Sequence, residues 1–341
     1  MVVKVVIFGV GAIGSRIARV LLSKRGVEVV GAIDADPAKV GRDLGDVVGL
    51  GRPVGITISD DVEGVLSKAR PDVVVHATRS FLREVFDQIM ACVRHGANVI
   101  STCEELAHPF VSDPKLARRI DEAARRAGVT VLGTGVNPGF LMDTLPLVLT
   151  TVCHEVRAIR VRRVINAAKR RRPFQEKIGA GLTVEEFKAK MASGAITGHV
   201  GLEQSIALIA DGLGWRLDGI EVEPVQPVVA EREVSSDFVR VEPGRVAGIR
   251  QVAMGLMGDR PVITLELLAY IGAEDEHDAV DIDGVPEIHM RIKPCVQGDE
   301  GTVGVVVNMI PKVIKAPPGL LTMKDMPLPS ATPEHVEVYL R

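Results

Sequence analysis

Two short stretches carry residues whose chemistry can be named from type and spacing. In "STCEELAHPF", Ser101 to Phe110, the carboxylates Glu104 and Glu105 follow the apolar run "ANVI" after Ser101, Thr102 and Cys103. A carboxylate at the mouth of a buried strand either favours the N-terminal end of the following turn or takes a proton from a bound substrate. In "FGVGAIG" the glycines Gly9, Gly11 and Gly14 have GxGxxG spacing, and Asp34 stands 20 residues past Gly14. The first glycine permits a tight turn, the second lets backbone approach a pyrophosphate, and the third lets helix and strand pack closely. Ala12 and Ile13 open the helix whose free N–H groups point at that pyrophosphate. An acid at Asp34 hydrogen-bonds the adenine ribose and repels a 2′-phosphate, so NAD is expected ahead of NADP. Lys39 and Arg42 lie near enough to leave NADP use open.

The elements that must position these residues follow from hydrophobic periodicity. Val2 to Phe8, Val27 to Ile33, Val73 to His76, Ala97 to Ile100 and Val129 to Leu132 are short apolar runs separated by helical stretches. Such alternation predicts a parallel sheet covered on both faces, a doubly wound Rossmann architecture. Ligands of such sheets bind beyond the carboxyl ends of the strands. Glu104 and Glu105 lie there, as do Thr78 and Ser80 in "HATRSF", which line the expected cofactor path, and Asn137 in "GTGVNPGF". Asn137 is expected in extended backbone before Pro138, with Gly139 opening a helix, a geometry suited to the nicotinamide carboxamide or the substrate nitrogen. His76, inside a strand, reads as packing.

From about Thr151 the pattern changes to period two, as in "HEVRAIRVRRVI", with helices near Val184 to Met191 and Gly201 to Leu213. This predicts a second, α+β domain with a mostly antiparallel sheet. "GTVGVVVNMIPKVI", Gly301 to Ile314, reads as a helix that returns to the first domain. The expected division is 1–150 for dinucleotide binding, 151–300 for the second domain and 301–341 for the returning helix and tail.

Of 341 residues, 46% are hydrophobic and 25% charged, which is ordinary for a globular protein large enough for two domains. A formal charge of -3 gives no bulk attraction to nucleic acid or anionic lipid, so neither partner is expected. The basic run "KRRRP" is local; Arg171, Arg172 and Lys177 can pair with a substrate carboxylate or face solvent. His199 in "TGHVGL" is a candidate to meet substrate from the second domain. The four cysteines form no zinc pattern and no metal site is expected. The N-terminal stretch lacks the features of a secretory signal and no run reaches a membrane span, so a cytoplasmic protein is expected. Scarce Asn and Gln hint at a hot habitat.

The runs "FGVGAIGSRIARVLL", "STCEELAHP", "GTGVNPGFLMDTLP", "GHVGLEQS" and "VVVNMIPKVIKAPPGLLTMKDMP" resemble the 2,4-diaminopentanoate dehydrogenases and related native amine dehydrogenases, over nearly the whole chain. These belong to a wider group with a dihydrodipicolinate reductase type N-terminal domain. The resemblance implies NAD(P)-dependent oxidative deamination of an amine or diamino acid to a ketone and ammonia, and a homodimer built through the second domain's sheet. With it, Glu104 becomes the expected general base and Glu105 the alternative. Dihydrodipicolinate reductases carry paired histidines where this chain has Ala168, Lys169 and Arg172, so reduction of their cyclic substrate is not expected. The remaining alternatives are a cyclic imine reductase on the same scaffold and a non-catalytic dinucleotide-binding redox sensor.

Overall fold

The computed structural model describes residues 2–340. They form two compact units, one running to Phe140 and resuming at Gly298, the other Leu141–Gln297. The first unit begins with β1 (Val3–Phe8), α1 (Ala12–Leu21), β2 (Val27–Ile33), α2 (Leu44–Val47), β3 (Ile58–Ser59), α3 (Val62–Ala69) and β4 (Val73–His76). It continues through α4 (Leu82–Arg94), β5 (Asn98–Ser101), a 3-10 turn at Glu104–Ala107, α5 (Pro109–Ser112), α6 (Pro114–Ala127) and β6 (Thr130–Gly133).

The second unit holds α7 (Thr144–Leu149), β7 (Glu155–Asn166), α8 (Arg172–Lys177), α9 (Val184–Ala192), α10 (Leu202–Leu213), β8 (Gly219–Val222) and β9 (Gln226–Val229). A small hairpin of β10 (Val234–Ser235) and β11 (Arg240–Val241) precedes β12 (Val246–Met257), β13 (Arg260–Tyr270), β14 (His277–Val285) and β15 (Ile288–Ile292). The chain then returns to the first unit as α11 (Gly298–Lys315), β16 (Gly319–Leu321) and α12 (Glu337–Leu340).

The first unit's sheet is parallel throughout, in the order β16-β6-β5-β4-β1-β2-β3. Its strands are β-branched and buried on both faces, with all four residues of β4 and of β6 buried. That is what helices on both sides require. α4 packs with α6, and α1 with α11. Helix ends follow local chemistry: the Asp113 side chain caps α6, Pro114 occupies its first position, and Gly128 ends it in the left-handed region at φ 71°.

Register aligns the strand ends. Phe8 pairs with Ile33 and His76, His76 with Ser101, and Ser101 with Gly133. The segments that follow therefore emerge along one edge: the glycine loop, Asp34, Thr78, Glu104 and the "GTGVNPG" loop. Strand order reverses at β1, where β2 lies on one side and β4 on the other, which makes the Phe8/His76 ends the switch point of the sheet.

The second unit's sheet runs β15-β14-β7-β13-β12-β8, with β9 also on β12. It is mixed: β7 and β13 pair in parallel and the other pairs are antiparallel. The parallel pair departs from simple alternation because nearly all of the intervening helices and short strands separate β7 from β13, and only so long a connection lets two strands run the same way. On β13, Ile263, Leu265, Leu267 and Ala269 face the core while Thr264, Glu266, Leu268 and Tyr270 are half-exposed. α10 packs on β12 and β13.

The units divide at Phe140 and Gln297 instead of 150 and 300, because α7 belongs with α10. A β-carbon on Gly212 of α10 would lie 2.5 Å from Leu147, and Ser205 donates to the buried Asp143 carboxylate at 2.7 Å. Gly139 does not open a helix; its φ of +123° serves a turn, and α7 starts later with Asp143 as its cap.

One buried ion pair ties the second sheet together. Arg163 on β7 and Asp278, directly opposite on β14, lie 3.1 Å apart with both side chains buried. Both also bind Val296, the guanidinium to its carbonyl and the carboxylate to its N–H at 2.7 Å. Burial pushes the Asp278 carboxyl up, opposed by the Arg163 charge. Asp278→Ala should therefore destabilise the protein by about 3–5 kcal/mol, because a buried guanidinium loses its partner, whereas Arg163→Met with Asp278→Leu should recover most of that. Urea denaturation of the single and double variants checks this; equal losses would mean the pair acts only through packing.

Candidate functional site

The glycine loop is built by steric exclusion. A β-carbon on Gly14 would sit 1.8 Å from the Gly9 carbonyl oxygen, and one on Gly9 would sit 2.4 Å from the Ala77 carbonyl oxygen. Gly9 also has φ +97°, where side chains are strained. Gly11 differs: nothing lies within 4 Å of its β-carbon position. It caps α1 and, being glycine, gives that helix start no side-chain hydrogen bond. Open space above an uncapped helix N-terminus that begins with Ala12 and Ile13 fits the pyrophosphate of a dinucleotide.

Asp34 locks this loop. Its carboxylate accepts the Val10 N–H at 2.7 Å and the Asp36 N–H at 2.8 Å, and Lys39 Nζ lies 3.3 Å from it and 3.2 Å from Asp36. Burial tends to lower the Lys39 ammonium, but the two carboxylates outweigh it and hold it above the usual lysine range. The acid and the lysine thus form one group where an adenine ribose would sit in this fold.

The two glutamates separate in the 3-10 turn after β5. Glu105 accepts the Leu82 N–H at 2.6 Å and donates its own backbone N–H to the Ser80 carbonyl at 3.1 Å. Phe81, the residue at the cap of α4, offers no side-chain acceptor, so Glu105 fills that place from a distant part of the chain. Glu104 is half-buried at the start of the turn. The turn packs tightly on β6, since a β-carbon on Gly133 would meet the Leu106 carbonyl carbon at 2.2 Å. Burial first, and then the charges of Glu104 and Glu105, push the Cys103 thiol up to about 12, so it is a neutral donor to the Ser80 carbonyl and no nucleophile.

Thr78 and Ser80 are bound into the same edge. Thr78 donates to Gln88 at 2.8 Å and its methyl group borders Gly9; Ser80 uses its carbonyl to hold the Glu105 turn. His76 is fully buried and, beyond packing, joins Ser101 and Gln88 at 2.9 and 2.7 Å. Asn137 is half-buried in the loop past β6, whose Val136 N–H donates to Thr302 on α11 at 3.2 Å.

In the second unit the basic residues part company. Arg172 is exposed and pairs with Glu176 at 2.8 Å, and Arg171 is exposed at the cap of α8. Arg170, between them and Lys169, is the buried one, with its guanidinium 4.7 Å over the Phe174 ring. Gln251 on β12 holds His199 from both sides, accepting its N–H at 2.9 Å and donating to its carbonyl at 3.2 Å. Burial, then the charges of Lys177 and Arg163, pull the His199 imidazole down to about 3, so it is neutral at ordinary pH. Lys177 and His199 are therefore neighbours in electrostatic terms. Gln251 and Arg163 lie on strands remote in sequence from "TGHVGL", and no spacing points to them.

Residues 140–341 match the 2,4-diaminopentanoate dehydrogenase C-terminal domain, and residues 3–106 the N-terminal domain of dihydrodipicolinate reductase. The chain is 38% identical to the 2,4-diaminopentanoate dehydrogenase of Acetoanaerobium sticklandii, over 96% of this chain and 94% of that one. The chain belongs to the 2,4-diaminopentanoate dehydrogenase family. It is 28% identical to an amine dehydrogenase of Streptomyces virginiae over 96% of both chains. A solved amine dehydrogenase from Mycobacterium smegmatis superposes with a TM-score of 0.84 at 29% identity, covering 97% of this chain and 98% of that one. Membership makes the protein an oxidoreductase acting on CH–NH2 groups, which sets aside a non-catalytic sensor. Among the described residues, no helix is long and apolar enough to cross a membrane and no group of three or more His, Cys, Asp or Glu could hold a metal ion.

The glycines should separate by experiment. Gly14→Ala should cost about 1–3 kcal/mol of stability, since its β-carbon forces backbone apart. Gly11→Ala should cost about 1 kcal/mol or less yet weaken dinucleotide binding at least about tenfold, because the methyl group stands where a phosphate must approach. Thermal melts and calorimetric titration measure the two effects; a Gly11 variant that binds normally would remove the site from this loop.

Proposed function

We propose that the protein is a nicotinamide-dinucleotide-dependent amine dehydrogenase that converts a primary amine on a secondary carbon to a ketone and ammonia, and runs in reverse as reductive amination. The balance is one protonated amine, one oxidised dinucleotide and one water giving ketone, reduced dinucleotide, ammonium and a proton. The single observation that supports it most is the division of labour between Glu104 and Glu105. Glu105 is committed to the N-terminus of α4, and Glu104, half-buried at the start of the same turn past the end of β5, is the carboxylate assigned to the chemistry.

Bound at the glycine loop and Asp34, with Thr78, Ser80 and Asn137 nearer its far end, the dinucleotide supplies acceptance of the hydride from the amine carbon. The remaining work falls to the chain. Glu104 attracts the ammonium of the substrate, takes the proton that leaves nitrogen and passes it to solvent as the net proton of the reaction, then accepts a proton from the water that attacks the imine carbon and returns it to the departing nitrogen. His199 stays neutral and can donate or accept a hydrogen bond without repelling a cationic substrate. For a diamino acid such as 2,4-diaminopentanoate, Arg171, Arg172 and Lys177 are the cations proposed for the carboxylate, of which Arg172 also pairs with Glu176. A homodimer and a cytoplasmic location go with this reading.

Glu104→Gln keeps shape but cannot take a proton, so turnover should fall by about 10²–10⁴ with dinucleotide affinity retained. The acid limb of kcat against pH should vanish with it. His76 and His199, at about 4 and 3, are already neutral above pH 5 and leave no limb of their own there. Glu105→Gln should lower stability by about 0.5–2 kcal/mol and change kcat only a few fold. If Glu105→Gln proves the inactive variant, the base has been assigned to the wrong glutamate.

NAD should have the higher kcat/KM. Asp34→Ala removes the charge that repels a 2′-phosphate and leaves Lys39, now 3.3 Å from that charge, to attract one. The ratio of NADP to NAD kcat/KM should rise at least about tenfold, the value of one charge-assisted contact. An unchanged ratio would show that the acid only braces the Val10 N–H.

A further inference from the structure

His76 is a buried polar residue whose contacts reach both halves of the proposed site. It ends β4 with no exposed surface, between Phe8 of β1 and Ser101 of β5, its pairing partners. The Phe8 ring covers it edge-on, with centroids 5.2 Å apart. Its Nδ1 lies 2.9 Å from Ser101 Oγ, and its Nε2 lies 2.7 Å from Gln88 Oε1 and 3.0 Å from Thr78 Oγ1. Thr78 Oγ1 in turn reaches Gln88 Oε1 at 2.8 Å.

Proton accounting fixes the direction of this chain of bonds. The Cys103 N–H donates to Ser101 Oγ at 3.1 Å. Gln88 Oε1 can only accept, so Nε2 holds the proton of the neutral ring, and Nδ1 accepts the Ser101 hydroxyl proton. Nε2 then carries the ring proton and donates it towards Gln88 and Thr78, while the Thr78 hydroxyl donates to Gln88. Every polar atom of the imidazole is used in its neutral form, in keeping with a pKa pulled down to about 4 by burial. A charged ring would need a second donor's acceptor where Ser101 already donates.

The two ends of the chain lie in telling places. At one end Thr78 borders Gly9, whose β-carbon position is 2.9 Å from the Thr78 methyl group. At the other, Cys103 is the residue that begins the 3-10 turn carrying Glu104. Ser101, Ser80 and Gly133 all contact that turn, and Ser101 joins it to the glycine loop through the His76 and Thr78 side chains. We infer that His76 is a positioning residue, which through Ser101 and the Cys103 N–H sets the Glu104 carboxylate against the dinucleotide held by the glycine loop. This rests on Glu104 being the base.

Its function is geometric. A proton acceptor displaced by about 1 Å can lose on the order of 10²-fold in rate, and a buried ring bonded at both nitrogens resists such displacement better than a packed apolar side chain. The residue touches neither dinucleotide nor substrate on this reading, so its removal should be felt in kcat and not in binding.

The test uses Ser101→Ala and His76→Leu in the full-length protein, alone and combined with Glu104→Gln. Ser101→Ala is the smaller change and guards against failure of His76→Leu to fold. Each should lower kcat by about 10- to 100-fold with dinucleotide Kd within about twofold of the parent, and His76→Asn, which keeps an acceptor towards Ser101, should restore much of the loss. In the Glu104→Gln background neither should lower kcat further, because the group they position is gone. Losses that multiply with that of Glu104→Gln, or a Kd that weakens in step with kcat, would overturn the inference while leaving Glu104 as the base. Full turnover in Glu104→Gln itself would overturn both.

Discussion

The first unit depends on one contact that only glycine permits. The Gly9 carbonyl oxygen occupies the place where a β-carbon of Gly14 would be, 1.8 Å away. Helix α1 can therefore start almost on top of the end of β1. That closeness aims its first N–H groups at the space beyond the strand, and the same turn brings Gly9 against Ala77 and Thr78 after β4. The dinucleotide loop and the loop past β4 are thus one packed object. Asp34 adds the third side by accepting the Val10 N–H at 2.7 Å. A half-buried carboxylate is tolerated there because two backbone donors and Lys39 satisfy it.

From that constraint the rest of the edge follows. In a parallel sheet with aligned strand ends, the loops that hold chemistry must share a narrow strip, and their backbone groups need partners that do not intrude on it. This chain meets that need with a side chain sent from a neighbouring element, Glu105 to the start of α4. The neutral His76 does the same within the sheet. A cation there would lower the proton affinity of any nearby carboxylate, so a ring held uncharged by burial stiffens the edge without weakening a base.

Much of this was legible in the sequence, because it rests on short-range rules. The glycine spacing, the apolar strands and Asp34 at the end of β2 are local signals. The period-two pattern of β7 and β13 disclosed a one-sided sheet but not that the two run parallel, which depends on how a long connection returns. The role of His76 was hidden for a different reason. A histidine in "VVVH" reads as packing, and its partners Ser101, Gln88 and Thr78 become neighbours only once β4, β5 and α4 are assembled. Arg170 and Arg172 show the same limit: "KRRRP" offers three arginines alike, and only the fold stacks one on Phe174 while another pairs with Glu176.

The adjacent glutamates carry this furthest. In a strand, neighbours point to opposite faces, and in an α-helix they are 100° apart; a 3-10 turn has three residues per turn, so adjacent side chains diverge by about 120°. Glu104 and Glu105 cannot then share a task. Once the Glu105 N–H is fixed on Ser80 and its carboxylate on Leu82, Glu104 must leave the turn in another direction. The sequence shows two equivalent carboxylates. The geometry of one short turn makes them unequal, and it does so by committing the second to α4.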